Sequence, residues 1–147
     1  MGIKAYHFLF LILAALLFVG VYDGVCSAKN GAKVLLEKSD LCKKDLLNSS
    51  KKKKYRHNWI RCIRNYQEVY KSYPKSEEAP LALFNAAKLY SLLYRYSGKS
   101  TDIDEAITLY RQLVDQYKKH RLADDAQYRI GEIYYTSLDD PTQAYVE

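Results

Sequence analysis

Three histidines and three cysteines are the side chains of this 147-residue sequence best suited to metal or covalent chemistry. A hydrolytic zinc centre takes three protein ligands and a carboxylate that activates the bound water. His7 lies in the N-terminal segment just before an apolar run, while His57 and His120 stand at the edges of different predicted helices with no third ligand spaced to join them. No catalytic site, metal site or cofactor is expected in this chain. Cys42 and Cys62 are an even pair that could form one disulfide in an oxidising compartment. The remaining chemistry is electrostatic. Lys51, Lys52, Lys53, Lys54, Arg56, Arg61 and Arg64 form a basic concentration and are candidates for contact with an anionic surface. From residue 29 to 64 twelve basic residues face three acidic ones, giving +9, whereas residues 65–147 total −3. Such asymmetry points the N-terminal third at something anionic, although a solvated basic helix with a lysine-rich linker has the same composition.

The elements that position these groups begin with a leader. Lys4 supplies a positive charge, Phe8 to Val21 is an unbroken apolar run, and Ala28 offers a small-residue cleavage point. This is the layout of a secretory signal over residues 1–28, with an uncleaved N-terminal anchor as the alternative. Export makes wall polymer, lipid headgroups or an acidic protein better anionic partners than nucleic acid. The membrane is expected to be reached only through the leader. Cys26 raises lipid attachment, but Val25 stands before it where exported lipoproteins carry Gly or Ala, so the likeness is poor.

Past the leader, residues 29–56 hold a basic amphipathic helix, with Val34, Leu35, Leu41, Cys42 and Leu46 on one face, followed by a hinge at Asn48 to Lys54. Residues 57–73 place Trp59, Cys62, Ile63, Tyr66, Val69, Tyr70 and Tyr73 on a helical face that Pro74 terminates. Ser76, Glu77 and Glu78 are expected to cap the next helix, which runs to about Tyr96 with Pro80 in its first turn. Ser97 to Asp102 is expected to be a loop, after which helices start near Asp104, Ala123 and Pro141. No segment alternates with the period of a strand, so the fold class is all-α.

Two stretches repeat each other at an offset of 44 residues. Tyr66, Tyr73, Ala79, Ala82, Phe84, Leu89 and Tyr90 fall on Tyr110, Tyr117, Ala123, Ala126, Tyr128, Ile133 and Tyr134. Small residues meet small ones and rings meet rings, the mark of helix pairs that bury their faces by stacking. Ile130, Gly131 and Tyr134, with a degenerate copy at Ala86, Ala87 and Tyr90, resemble the first helix of a tetratricopeptide repeat. Ala106, Tyr110 and Leu113, echoed by Cys62, Tyr66, Val69 and Pro74, resemble its second helix. The resemblance covers residues 57–147 and implies an α-solenoid whose last repeat is incomplete at Glu147, as in a truncated frame. It departs from the family between Ala87 and Ala106, 19 residues where the family has about 12, which implies a longer helix or loop near Tyr94 to Asp102. It also puts Cys62 in a slot for a small packed residue, where an inert buried thiol is expected.

A narrower similarity joins Tyr55 to Ile63, followed by Tyr66, Val69 and Tyr70, to the segment opening the repeat region of exported bacterial N-acetylmuramoyl-L-alanine amidases. Tyr73 to Ser76 leading into Ala79 is similar to periplasmic repeat proteins of the Tol-Pal and outer-membrane barrel assembly systems. These resemblances imply a periplasmic, protein-binding scaffold of the cell envelope, attached to a peptidoglycan amidase whose zinc domain would lie past Glu147. The alternative they leave is a stand-alone adaptor in outer-membrane assembly or Tol-Pal function. The concave face of such an array is built from first helices, which implies contacts to a protein or peptide partner at Phe84, Lys88, Ser91, Asp125, Tyr128, Glu132 and Tyr135. Ordinary solvated positions are the competing reading for these residues, and peptidoglycan or another anionic wall polymer is the partner implied for the basic set.

Overall fold

The computed structural model describes residues 30–146, and the side chains of 30–144; the expected leader, with His7 and Cys26, lies outside the described residues. Ala32–Glu147 form a compact unit. Its elements are α1, helical over residues 30–47 of the described chain, α2 (Ser50–Lys53), α3 (Arg56–Ser72), α4 (Ala79–Ser97), α5 (Ser100–Gln116), α6 (Leu122–Thr136) and α7 (Pro141–Val146). No strand occurs among the described residues. Among the same residues no helix is long and apolar enough to cross a membrane.

Consecutive helices from α3 to α7 pack on one another, and α4 also touches α6 directly. Small side chains make these approaches possible. Ala79, Ala82, Ala86, Ala87, Ala106, Ala123 and Ala126 are buried, and the bulky residues between them, Trp59, Ile63, Tyr66, Leu83, Leu89, Tyr110, Leu113 and Ile130, fill the spaces left. Tyr90 and Tyr134 are partly buried against the same core. Tyr66, Tyr90, Tyr110 and Tyr134 are therefore packing residues.

The segment 48–54 departs from the expected hinge. Ser49 accepts the Lys52 amide at 3.2 Å and caps the short α2. Asn58 and Trp59 of α3 then donate to the carbonyls of Lys52 and Lys53 at 3.0 and 2.9 Å. Side chains from the following helix thus satisfy the backbone of this turn, which makes it a fixed corner between α1 and α3.

Cys62 also departs from the inert thiol expected of it. It is bonded to Cys42, with the Cα atoms 5.5 Å apart and a sequence separation of 20. The same turn of α1 is held a second way. The buried Tyr66 hydroxyl donates to Asp40, while Lys43 reaches Asp40 at 3.1 Å and Asn85 of α4 at 3.1 Å. These contacts make α1 the first helix of a helix pair with α3, stacked on α4 and α5. Burial, reinforced by the bond to Asp40, pushes the Tyr66 hydroxyl far above the ordinary tyrosine range, so it stays a neutral donor.

Helix ends show where local signals hold and where they yield. α3 stops before Pro74, and Gly98, at φ 62°, closes α4 with its amide on the Tyr94 carbonyl at 2.8 Å. The expected Ser76 cap is absent: α4 begins at Ala79 after Glu78, and Ser76 Oγ has no partner. The expected loop at 97–102 is only Gly98 and Lys99, because α5 begins at Ser100. The extra length between Ala87 and Ala106 is taken up by added helical turn on either side of this short link.

Candidate functional site

Two depressions follow from stacking α4, α6 and α7. Between α4 and α6 lies a cleft of about 210 Å³, lined from α4 by Lys88, Ser91, Leu92 and Arg95, from α5 by Tyr110, and from α6 and the turn beyond it by Arg129, Glu132, Ile133, Thr136 and Ser137. Positions 88, 91, 92 and 95 recur every three or four residues, so one stripe of α4 forms a whole wall. Arg129 is paired with Glu132 at 2.5 Å, which leaves Lys88 and Arg95 as the cleft's charges without an ion pair among the described residues. The hydrogen bond to Glu132 is the larger of the effects that raise the Arg129 pKa further, so that guanidinium is permanently charged. The Ser91 hydroxyl donates to the Ala87 carbonyl at 3.2 Å and keeps acceptor capacity toward the cleft. A polar cavity of this size, with net positive walls, accommodates one acidic side chain or a chain terminus.

The second depression, about 800 Å³, lies between α6 and α7 and is lined by Asp124, Gln127, Tyr128, Gly131, Glu132, Tyr135, Thr136, Pro141 and Ala144. Gly131 permits it: a Cβ there would meet the Ala144 carbonyl oxygen at 3.3 Å, so the absence of a side chain lets α7 lie close. Asp140 caps α7 by accepting the Gln143 amide at 3.0 Å. Tyr128 and Tyr135 stand over this groove 69% and 66% exposed.

The candidate contacts named from sequence therefore divide. Lys88, Ser91 and Glu132 line the α4–α6 cleft, and Tyr128, Glu132 and Tyr135 line the α6–α7 groove. Phe84 is instead a packing residue, half-buried with its ring 5.4 Å from that of Tyr110. Asp125 is exposed and lines neither depression. Arg95, Arg129, Thr136 and Ser137 were missed. Arg95 was within reach of the sequence, since it continues the stripe of Lys88 and Ser91 by one turn, but Arg129 needed the neighbouring helix to show which way it faces.

The structure divides the basic set into paired and exposed members. Lys52 is paired with Asp45 at 2.5 Å. Arg56 forms a bidentate pair with Asp102 at 2.5 and 2.6 Å, joining α3 to α5. Asp102 is 1% exposed, and burial alone would raise its pKa. Hydrogen bonds from Arg56 and Ser97, with the charges of Arg56 and Lys99, outweigh burial and hold the carboxyl below its ordinary value. Lys51, Lys54, Arg61 and Arg64 remain exposed, the two arginines lining a shallow depression of about 560 Å³ along α3 with His57 and Ile60. His120 sits in the turn before α6, its Nδ1 accepting the Leu122 amide at 3.2 Å. Among the described residues no three His, Cys, Asp or Glu side chains converge as metal ligands.

Residues 81–120, which include nearly all of α4 and all of α5, match the family model of the tetratricopeptide repeat. No curated protein and no solved structure matches the chain. The region is thus an all-α solenoid of tetratricopeptide type, and repeats of this type are scaffolds for protein–protein interaction.

Proposed function

We propose that this chain is an exported scaffold of the cell envelope that docks a protein partner along the face made by α4 and α6, serving as the N-terminal part of a peptidoglycan amidase. The α4–α6 cleft carries the reading: its two cations without an ion pair among the described residues, Lys88 and Arg95, and its hydroxyls are arranged to take an acidic group of an extended partner segment. The Cys42–Cys62 disulfide supports residence outside the cytoplasm, because such bonds persist where the compartment is oxidising. The chain itself binds and positions; catalysis belongs to a separate domain. The amidase assignment leans on the likeness of Tyr55 to Ile63 to the exported amidases.

Photo-crosslinking from position 91 of the full chain, in cells, tests the docking face. An envelope protein captured by the native cleft and lost with Lys88→Glu plus Arg95→Glu is the expected result. Capture unaffected by that charge reversal refutes it. An open reading frame that continues past Glu147 into a domain bearing zinc-ligating His and Glu is expected for the amidase reading, and a stop within one further helix favours the stand-alone adaptor. Peptidoglycan zymography of the chain is expected to show no clearing, and clearing would assign catalysis to the chain itself.

A further inference from the structure

Seven Lys and Arg, and no acidic residue, stand between Asp45 and Glu68, on the corner before α3 and on α3 itself. Two of the seven are engaged in internal pairs, Lys52 with Asp45 and Arg56 with the buried Asp102. Lys51, Lys53, Lys54, Arg61 and Arg64 form no ion pair among the described residues. At the margin of these five cations stand two acids. Glu68 closes the stripe one turn beyond Arg64 and accepts the Ser72 hydroxyl at 2.8 Å, and Glu105 of α5 acts on Tyr90 together with Arg64 without pairing to it.

This surface is open on one side. The depression of about 560 Å³ that holds Arg61 and Arg64 is lined by α3 residues alone, with no second helix as an opposing wall. The α4–α6 cleft, in contrast, faces a ligand from two sides. His57, Arg61 and Arg64 recur at four and three residues, so they follow one stripe about 10 Å long. Apolar surface lies among the charges. Ile60 is only partly buried in the depression, and Tyr55 is 51% exposed with its ring 5.8 Å from that of His57. The backbone beneath the lysines is fixed by the bonds from Asn58 and Trp59 to the Lys52 and Lys53 carbonyls, so little chain order is lost when these cations meet a partner.

We propose that this face, from Lys51 to Arg64, docks on an anionic phospholipid surface, a membrane contact additional to the one expected of the leader. A one-walled face suits a flat partner, and long basic arms meet scattered headgroup phosphates without the register that an acidic peptide would require. Five unpaired cations fall within the size of basic cluster that recognises anionic lipid. The Arg61 and Arg64 guanidinium groups can each take phosphate oxygens through paired N–H donors. Tyr55, an apolar ring with a polar tip, belongs at headgroup depth.

The compact unit Ala32–Glu147 carries its own core and disulfide, so residues 29–147 are tested free of the leader's apolar run. Co-sedimentation is expected with vesicles of phosphatidylglycerol mixed into phosphatidylcholine, not with phosphatidylcholine alone, and should fall as salt rises. Arg61→Glu plus Arg64→Glu is expected to weaken binding at least about 25-fold, since each basic residue near the surface contributes about fivefold. Lys118→Glu plus Lys119→Glu makes the same charge change on exposed residues after Tyr117, whose hydroxyl is bonded to the Pro74 carbonyl. That site is about 15 Å past Arg64, beyond a Debye length, so binding should stay within about twofold. Circular dichroism checks that both variants keep their helices. Equal losses in the two variants, or undiminished binding to phosphatidylcholine alone, overturn the proposal. A chain held by polyglutamate but by neither vesicle overturns it too and assigns the face to an acidic protein. Tyr55→Trp adds a readout at the site, because the native Trp59 is fully buried. Emission from the substituted position is expected to shift to the blue and to be shielded from iodide on the anionic vesicles, and emission that neither shifts nor gains shielding rejects the contact.

Discussion

The first helix pair and the last are held in different ways. Around α1 and α3 the structure places a disulfide, the Tyr66–Asp40 bond, a corner whose carbonyls are taken by Asn58 and Trp59, and the Arg56–Asp102 pair that reaches on to α5. Around α6 and α7 it places the close approach at Gly131 and one capping carboxylate. The middle pair sharpens the contrast at an offset of 44 residues. Pro80, Leu83 and Ala87 of α4 are buried, whereas Asp124 of α6 is exposed and Gln127 and Gly131 are only partly covered. Where the next helix seals a stripe it is apolar, and where a groove remains the same positions turn polar or lose their side chain. The first pair carries the larger share of these ties, while the α4–α6 cleft and the α6–α7 groove lie toward the less tied end.

The largest effect should come from the sealed stripe. Leu83→Ala is expected to cost about 2–5 kcal/mol, the range for a buried leucine whose neighbours collapse only in part. Tyr128→Ala, on the corresponding exposed face of α6, should change stability by no more than about 0.5 kcal/mol. Equilibrium unfolding in urea measures both, and equal losses would mean that the two stripes are covered alike.

Removing the covalent tie comes next. Replacing Cys42 and Cys62 together by Ala should lower stability by about 3 kcal/mol, the scale for closing a loop of this length. Reductant should shift the native unfolding midpoint in the same direction and leave that of the double variant unmoved. A reductant effect that persists without the cysteines would place the sensitivity elsewhere.

A smaller loss, about 1–3 kcal/mol at neutral pH, is expected for Asp102→Asn, which leaves Arg56 without its charged partner. Arg56 is two-fifths exposed, and solvent screening keeps the cost toward the lower end. The pH dependence has a definite sign. The folded-state pKa of Asp102 is depressed, so its contribution is complete above the ordinary carboxylate pKa and disappears as pH falls through the lower folded value. The native chain should therefore lose more stability than Asp102→Asn between neutral and acid pH, and parallel titration curves would contradict the pair's role.

Much of this architecture was legible in the residues. The offset between Tyr66 and Tyr110, and between Ala82 and Ala126, announced stacked helix pairs, since a small residue and a ring recur only where two helices must meet at a set distance. Pro74 and Gly98 announced helix ends because each acts on its own backbone. Ser76 misled for a related reason: a hydroxyl cap is optional, and Pro80 with the turn at Glu78 determined where α4 begins. The tetratricopeptide slot given to Cys62 hid its bond to Cys42, because a packed small residue and half of a disulfide look alike in one dimension.

Helix formation, helix order and the repeat were properties of the chain read along itself, because they depend on periodicity and on residues that start or stop a turn. Which charges are free was decided only in three dimensions. Arg56 and Asp102 lie 46 residues apart, and nothing local marks one cation of the basic run as an internal strut and leaves Arg61 and Arg64 in solvent. Likewise Phe84 and Tyr128 occupy equivalent repeat positions, yet one packs against Tyr110 and the other stands over an open groove. An aromatic residue becomes core or surface according to what the neighbouring helix covers, and that neighbour is chosen by the stacking of the whole array.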